Sequence, residues 1–188
     1  MRRSLLGLGL ALLAACLLMA AIGGLSAVVK SVEILLPVGA VALAALAEET
    51  VTMLRAEADT NGILISSEIA ADLAPARANP EKLGRVLANL LQNAIRNTPR
   101  DGSVVISAQR SDDALEIEVA DTGPGFAPAD RAHVFEPFYR GGDEVARTGA
   151  GSGLGLAISR AIVEAHGGRI WLADSAAGAR VRLTLPLA

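Results

Sequence analysis

Residues 121–158 read DTGPGFAPADRAHVFEPFYRGGDEVARTGAGSGLGLAI. Eight of the chain's 19 glycines fall here, in clusters that each adjoin an apolar element. Glycine leaves backbone N–H groups approachable and tolerates positive φ, and both properties suit a loop that folds over phosphates. The last cluster runs directly into an apolar helical pattern, so a helix N-terminus stands at its end. Such a terminus offers unpaired N–H groups and the positive end of a dipole to an anion. No GxxxxGK[ST] run occurs, and the glycines lack the strand–turn–helix spacing of a dinucleotide fingerprint. The residues point to a nucleotide site beneath a lid; a plain glycine-rich surface loop is the alternative.

Upstream, Asn79-Pro80-Glu81 is a helix start: a capping Asn, Pro at the first position and an acid in the first turn. The predicted helix runs from Pro80 to Asn97. Leu83, Val86, Leu87, Leu90, Leu91, Ala94 and Ile95 make its apolar face, while Asn89, Asn93 and Asn97 stack along another side at four-residue spacing. Asparagines are poor helix formers; they are either exposed polar residues or a site. In the second case, the Asn93 carboxamide oxygen suits a hard cation such as Mg²⁺. Ser103–Arg110 and Ala114–Ala120 alternate around Ser111-Asp112-Asp113 as a hairpin. Asp121 falls where the second strand ends, placed to accept from an exocyclic amino group or simply to make a turn.

The remaining elements are a helix over Val38–Ala58, a strand over Ile63–Ile69, a loop at Asp72–Asn79, and a short link at 30–37 with a strand near Val32–Leu36. Asp130–Phe138 has helical character, with Val134, Phe135 and Phe138 tucked inward. Arg140 and Arg147 are candidate phosphate partners. Leu154–His166 reads as a helix stopped by Gly167-Gly168, with His166 a capping partner rather than a catalyst. Ile170–Ala173 and Ala179–Leu185 close the chain as a hairpin. Together these predict an α/β (α+β) two-layer sandwich: a mixed sheet of about five strands, three helices on one face.

The 188 residues carry 17 basic and 20 acidic groups, a net charge of −3, which argues against nucleic acid as a partner. A single cysteine excludes an internal disulfide framework. The separated His133 and His166 have no cysteine partners for a structural zinc site. Leu5–Val29 holds no charge and is long enough to span a bilayer as an N-terminal hydrophobic helix. An export signal is the rival reading. LAAC at 13–16 resembles a lipoprotein box, but the apolar run continues well past Cys16. Arg2 and Arg3 before the segment against Lys30 after it would export the C-terminus. That one-charge bias conflicts with a nucleotide-using domain on the cytoplasmic side.

Four motifs in order carry a family resemblance: NLLQNAIRNTP (89–99), DTGPGF (121–126), FEPFYR (135–140) and GSGLGLAI (151–158), with VEAHGGRIW (163–171) and LTLP (183–186) in support. The chain resembles, over Val41–Pro186, the C-terminal catalytic, ATP-binding domain of bacterial sensor histidine kinases. Their superfamily includes DNA gyrase, a heat-shock chaperone and mismatch-repair ATPases. The resemblance implies that Asn93 holds Mg²⁺ on the ATP phosphates with Asn89 beside it. By the same resemblance, Arg96 approaches the phosphates and Asn97 the nucleotide edge. Asp121 takes the adenine amino group, helped by Gly125 and by Thr184 through water. Tyr139 and Arg140 border the nucleotide, and Gly151, Gly153 and Gly155 let the lid close. Gly123, Phe126 and Leu154 complete the implied set.

One departure counts. Kinases of this kind phosphorylate a histidine in a His-Glu motif on a preceding dimerisation domain, and neither histidine here begins such a motif. The expectation is a membrane segment and linker at 1–32 and a histidine-kinase-like domain at 33–188. It would act on a histidine-containing dimerisation domain of another chain, with a response regulator beyond. The domain is expected on the cytoplasmic side of a cell membrane crossed once. A non-catalytic ATP-binding module and a serine/threonine anti-sigma-type kinase are the alternatives.

Overall fold

The computed structural model describes residues 38–141 and 152–188. The apolar segment at 5–29, the link at 30–37, Arg147 and Gly151 lie outside these. Among the described residues, no helix is long and apolar enough to cross a membrane.

Helix α1 (Leu43–Asn61) buries Leu43, Ala47, Val51, Leu54 and Ala58, a stripe at helical spacing, and ends on Gly62 at φ +68°. Helix α2 (Pro80–Asn97) starts as its sequence demands. The Asn79 side chain accepts from the Lys82 N–H, Pro80 occupies the first position, and all seven predicted apolar residues are buried. Helix α3 (Gly155–Ala165) ends where Gly167 takes φ +77° and donates to Glu164 O at 3.0 Å.

Strands β2 (Leu64–Glu68), β4 (Ser103–Ser111), β5 (Ala114–Asp121), β6 (Arg169–Leu172) and β7 (Arg180–Pro186) form one sheet in the order β2-β4-β5-β7-β6. Only β2–β4 pairs parallel, which makes the sheet mixed. Alternation sends Val104, Ile106, Leu115, Ile117, Val119, Val181, Leu183 and Leu185 into the core under the helices. The opposite face is polar. There Arg180 pairs with Glu118 at 2.7 Å and Arg182 with Glu116 at 3.2 Å, with Glu118 also bonded to Arg182. The predicted two-layer sandwich is the fold observed.

Three details differ from expectation. The first helix begins at Leu43, because Gly39–Val41 forms β1 and pairs antiparallel with β3 (Ala76–Ala78), within a stretch read as loop. Asp130–Phe138 is a series of turns rather than a helix. Pro128 precedes it and Pro137 lies within it, and proline denies a helix both an N–H and room for the preceding turn. Phe138 is 70% exposed rather than tucked in. Its N–H donates to Gly153 O at 2.9 Å while its φ of +65° turns the ring away from the body.

Leu87→Ala removes a fully buried side chain from α2 and is expected to cost about 2–5 kcal/mol. Met53→Ala, on exposed surface, is expected to change stability by less than about 0.5 kcal/mol. Urea denaturation of the two variants measures the contrast.

Candidate nucleotide site

The site is assembled around the end of β5. Asp121 Oδ1 accepts from the Gly123 N–H at 2.9 Å and from the Ala179 N–H at 3.1 Å, and the Asp121 N–H donates to Ala179 O at 3.0 Å. One carboxylate oxygen is thus held by two backbone amides, while Oδ2 accepts no hydrogen bond among the described residues. Glycines make this possible. A Cβ on Gly123 would stand 2.6 Å from Asn97 O, and one on Gly178 would collide with Asp121 O. Gly125, at φ +74°, lies against Gly178 O in the same way.

Helix α2 brings its asparagines to this end of the sheet. Asn97 Nδ2 donates to Asn93 O at 2.7 Å and lies 3.3 Å from Asn93 Oδ1. Asn93 is half-buried. Asn89 Nδ2 reaches Gly155 O at 3.4 Å and the buried Ser159 Oγ at 3.5 Å, so the N-terminus of α3 is joined to α2. Leu154 sits half-buried at the N-cap of α3.

The lid segment is fastened at several points. Arg131 pairs with Asp174 at 3.0 Å, Phe126 and Phe135 pack on the core, and Phe138 bonds Gly153. A side chain on Gly153, at φ +68°, would press on the Phe138 and Tyr139 backbone at 2.8 Å. The Tyr139 hydroxyl donates to Asp130 Oδ1 at 2.7 Å, and this bond holds the phenol's pKa above its ordinary value. Arg140 is exposed.

This arrangement coincides with a family match. Residues 78–188 fit the model of the histidine kinase-, DNA gyrase B- and HSP90-like ATPases. The chain belongs to this family. The sensor protein SphS of Synechococcus elongatus is 42% identical over 118 residues, 58% of this chain and 29% of its own. The sensor histidine kinase CusS of Escherichia coli is 40% identical over 108 residues, 57% of this chain and 22% of its own. The chain therefore spans less than a third of the length of these two relatives. Full-length ShkA, crystallised in complex with AMPPNP, superposes with a TM-score of 0.74 at 30% identity, over 87% of this chain and 34% of that one. A nucleotide-free catalytic domain of the histidine kinase ThkA gives 0.71 at 26% identity, over 81% and 97%.

Within this histidine-kinase-type ATPase domain, two sequence expectations require revision. Thr184 pairs with Glu116, five positions along β5 from Asp121, or roughly 17 Å at about 3.4 Å per residue. It instead accepts from the Arg169 N–H at 3.1 Å. The residue beside the aspartate is Ala179, immediately before β7, acting through its backbone. No side-chain chemistry in the sequence flagged an alanine; counting back from LTLP along the hairpin register would have found it. Arg96 points its guanidinium at Glu57 on α1, 3.9 Å away, rather than toward the lid. An exposed carboxylate on the neighbouring helix accounts for that direction.

Gly178→Ala is expected to destabilise the domain by at least about 1–2 kcal/mol, from its φ of +72° alone. It should also shift the Gly123 and Ala179 amide resonances, because the added methyl pushes on Asp121. Thermal melts with amide NMR spectra check both effects.

Proposed function

We propose that this domain binds Mg²⁺–ATP between α2, the Asp121 end of β5 and the start of α3, and transfers the γ-phosphoryl to a histidine as part of a two-component system. The observation that supports it is the ring of contacts at one end of the sheet. Asn97 lies against Gly123, Asp121 is bonded to Ala179, Asn89 to Gly155, and Gly153 to Phe138.

Each residue has a task in this reading. Asp121, with Oδ1 already committed, offers Oδ2 to the adenine amino group, and its fixed orientation makes it selective. Gly125 keeps the loop beside it free of side chains, while Gly123 and Phe126 shape the wall. The Asn93 carboxamide is a single half-buried oxygen donor, and no cluster of three His, Cys, Asp or Glu occurs among the described residues. That donor set fits Mg²⁺, which keeps waters and phosphate oxygens as its other ligands. When bound, Mg²⁺ neutralises charge on the phosphates. Asn89 steadies the first turn of α3, whose N–H groups and dipole face the anion with Gly153, Leu154 and Gly155. Tyr139 and Arg140 close the lid side, and Asn97 ends the asparagine row. Their work is to position the nucleotide and exclude water.

The acceptor imidazole comes from outside residues 38–188. His133 is exposed and bonded to Glu136 at 2.9 Å, and His166 is tied into α3. A histidine-containing domain on another chain is the partner, with a response regulator taking the phosphoryl group onward. The charge-free run at 5–29 fits a single membrane span, with 33–188 on the cytoplasmic side where ATP is supplied. The absence of a His-Glu motif favours one second reading, a nucleotide-binding module without transferase activity.

Asn93→Ala is expected to weaken Mg²⁺-dependent ATP binding by about tenfold or more with the fold intact, since no core contact is lost. Calorimetry with and without Mg²⁺ measures this, and unchanged affinity refutes the assignment. Asp121→Asn presents a donor where an acceptor stood and is expected to erode the preference for ATP over GTP. Label passing from ATP to a partner's histidine supports the kinase reading. Tight ATP binding with no transfer to any histidine domain supports the module.

A further inference from the structure

Helix α3 runs antiparallel beside α2, and polar ties join the two helices at both ends. At the site end, Asn89 Nδ2 reaches Gly155 O and Ser159 Oγ. At the far end, the Asn79 N–H donates to His166 Nε2 at 3.0 Å, and His166 Nδ1 lies 2.7 Å from Ile162 O. These partners leave the ring one arrangement. A carbonyl only accepts, so Nδ1 carries the proton; an amide N–H only donates, so Nε2 is bare. Asn79 is only 4% exposed, so water is a poor substitute for that acceptor. The two ties are matched in spacing. Asn79 to Asn89 spans about 15 Å and Gly155 to His166 about 16.5 Å at about 1.5 Å per residue.

We propose that His166 is a positioning residue for nucleotide binding: as the neutral Nδ1–H tautomer it locks the register of α3 against α2. This rests on the site proposed above, because α2 carries Asn89 and Asn93 while the first turn of α3 carries the end of GSGLG. Apolar packing fixes the rotation of each helix, and a hydrogen bond at each end adds a directional restraint on their register. A slip of one residue, about 1.5 Å, would move the α3 N–H groups away from where Asn93 holds its ligand, and misplacement of that size costs binding groups most of their effect.

The test uses the full 188-residue chain labelled with ¹⁵N, together with His166→Gln and His166→Asn. The glutamine oxygen extends to the Nε2 position and can accept from Asn79. The asparagine amide reaches only Nδ1's position and bonds Ile162 alone. In the wild type, the expected ¹⁵N spectrum shows a protonated Nδ1 and a bare Nε2. Calorimetry is expected to give His166→Gln an ATP affinity within about twofold of wild type, and His166→Asn one weaker by about 3- to 10-fold. A protonated Nε2 overturns the proposal, and so do equal ATP affinities for the two variants. A wild-type chain with the Nδ1–H signal but no ATP binding sinks the nucleotide reading itself, and this role with it. Equal variant affinities on a binding-competent wild type sink the role alone.

Discussion

Seven side chains of α2 are sunk in the core, and their burial decides where its remaining residues can point. Each leucine or isoleucine fully removed from water contributes about 1.5–3 kcal/mol, so rotating the helix would sacrifice far more than any polar contact returns. The asparagine row is therefore aimed by hydrophobic packing. This explains how three weak helix formers can occupy one helix: the cost of a few tenths of a kcal/mol each is small beside the buried face. The site is rigid at this wall because the fold itself is.

At Asp121 the constraint is different in kind. A carboxylate on the last residue of a strand would ordinarily turn with solvent. Here two amide donors from separate segments, Gly123 and Ala179, hold one oxygen. Those segments approach so closely only because Gly123, Gly125 and Gly178 have no side chains to separate them. The first glycine motif thus shapes the aspartate before it shapes any ligand. The later glycines do a similar service for the lid, letting the Phe138 backbone seat directly on Gly153.

Much of this was legible in the sequence where one force acted alone. Helix α2 announced itself through its cap and 3.6-residue stripe, and the β4–β5 hairpin through alternation. Asp121 was placed at the strand end by counting along that hairpin. The misses share a cause: they depend on partners remote in sequence. Strands β1 and β3, of three residues each and so too short to announce themselves, exist because they pair with each other. Phe138 reads as core by its side chain, yet its backbone bond to Gly153 sets its direction. Thr184 carried the right chemistry but the wrong register, while Ala179 had the right register and no side-chain chemistry to notice.

The outer sheet face, where Arg180 and Arg182 confront Glu116 and Glu118, has a consequence for approach from a distance. Opposite charges a few ångströms apart cancel as seen from afar, and salt screens what is left within about 8 Å. That side is electrically quiet. A polyanion diffusing past feels little net pull from these four groups.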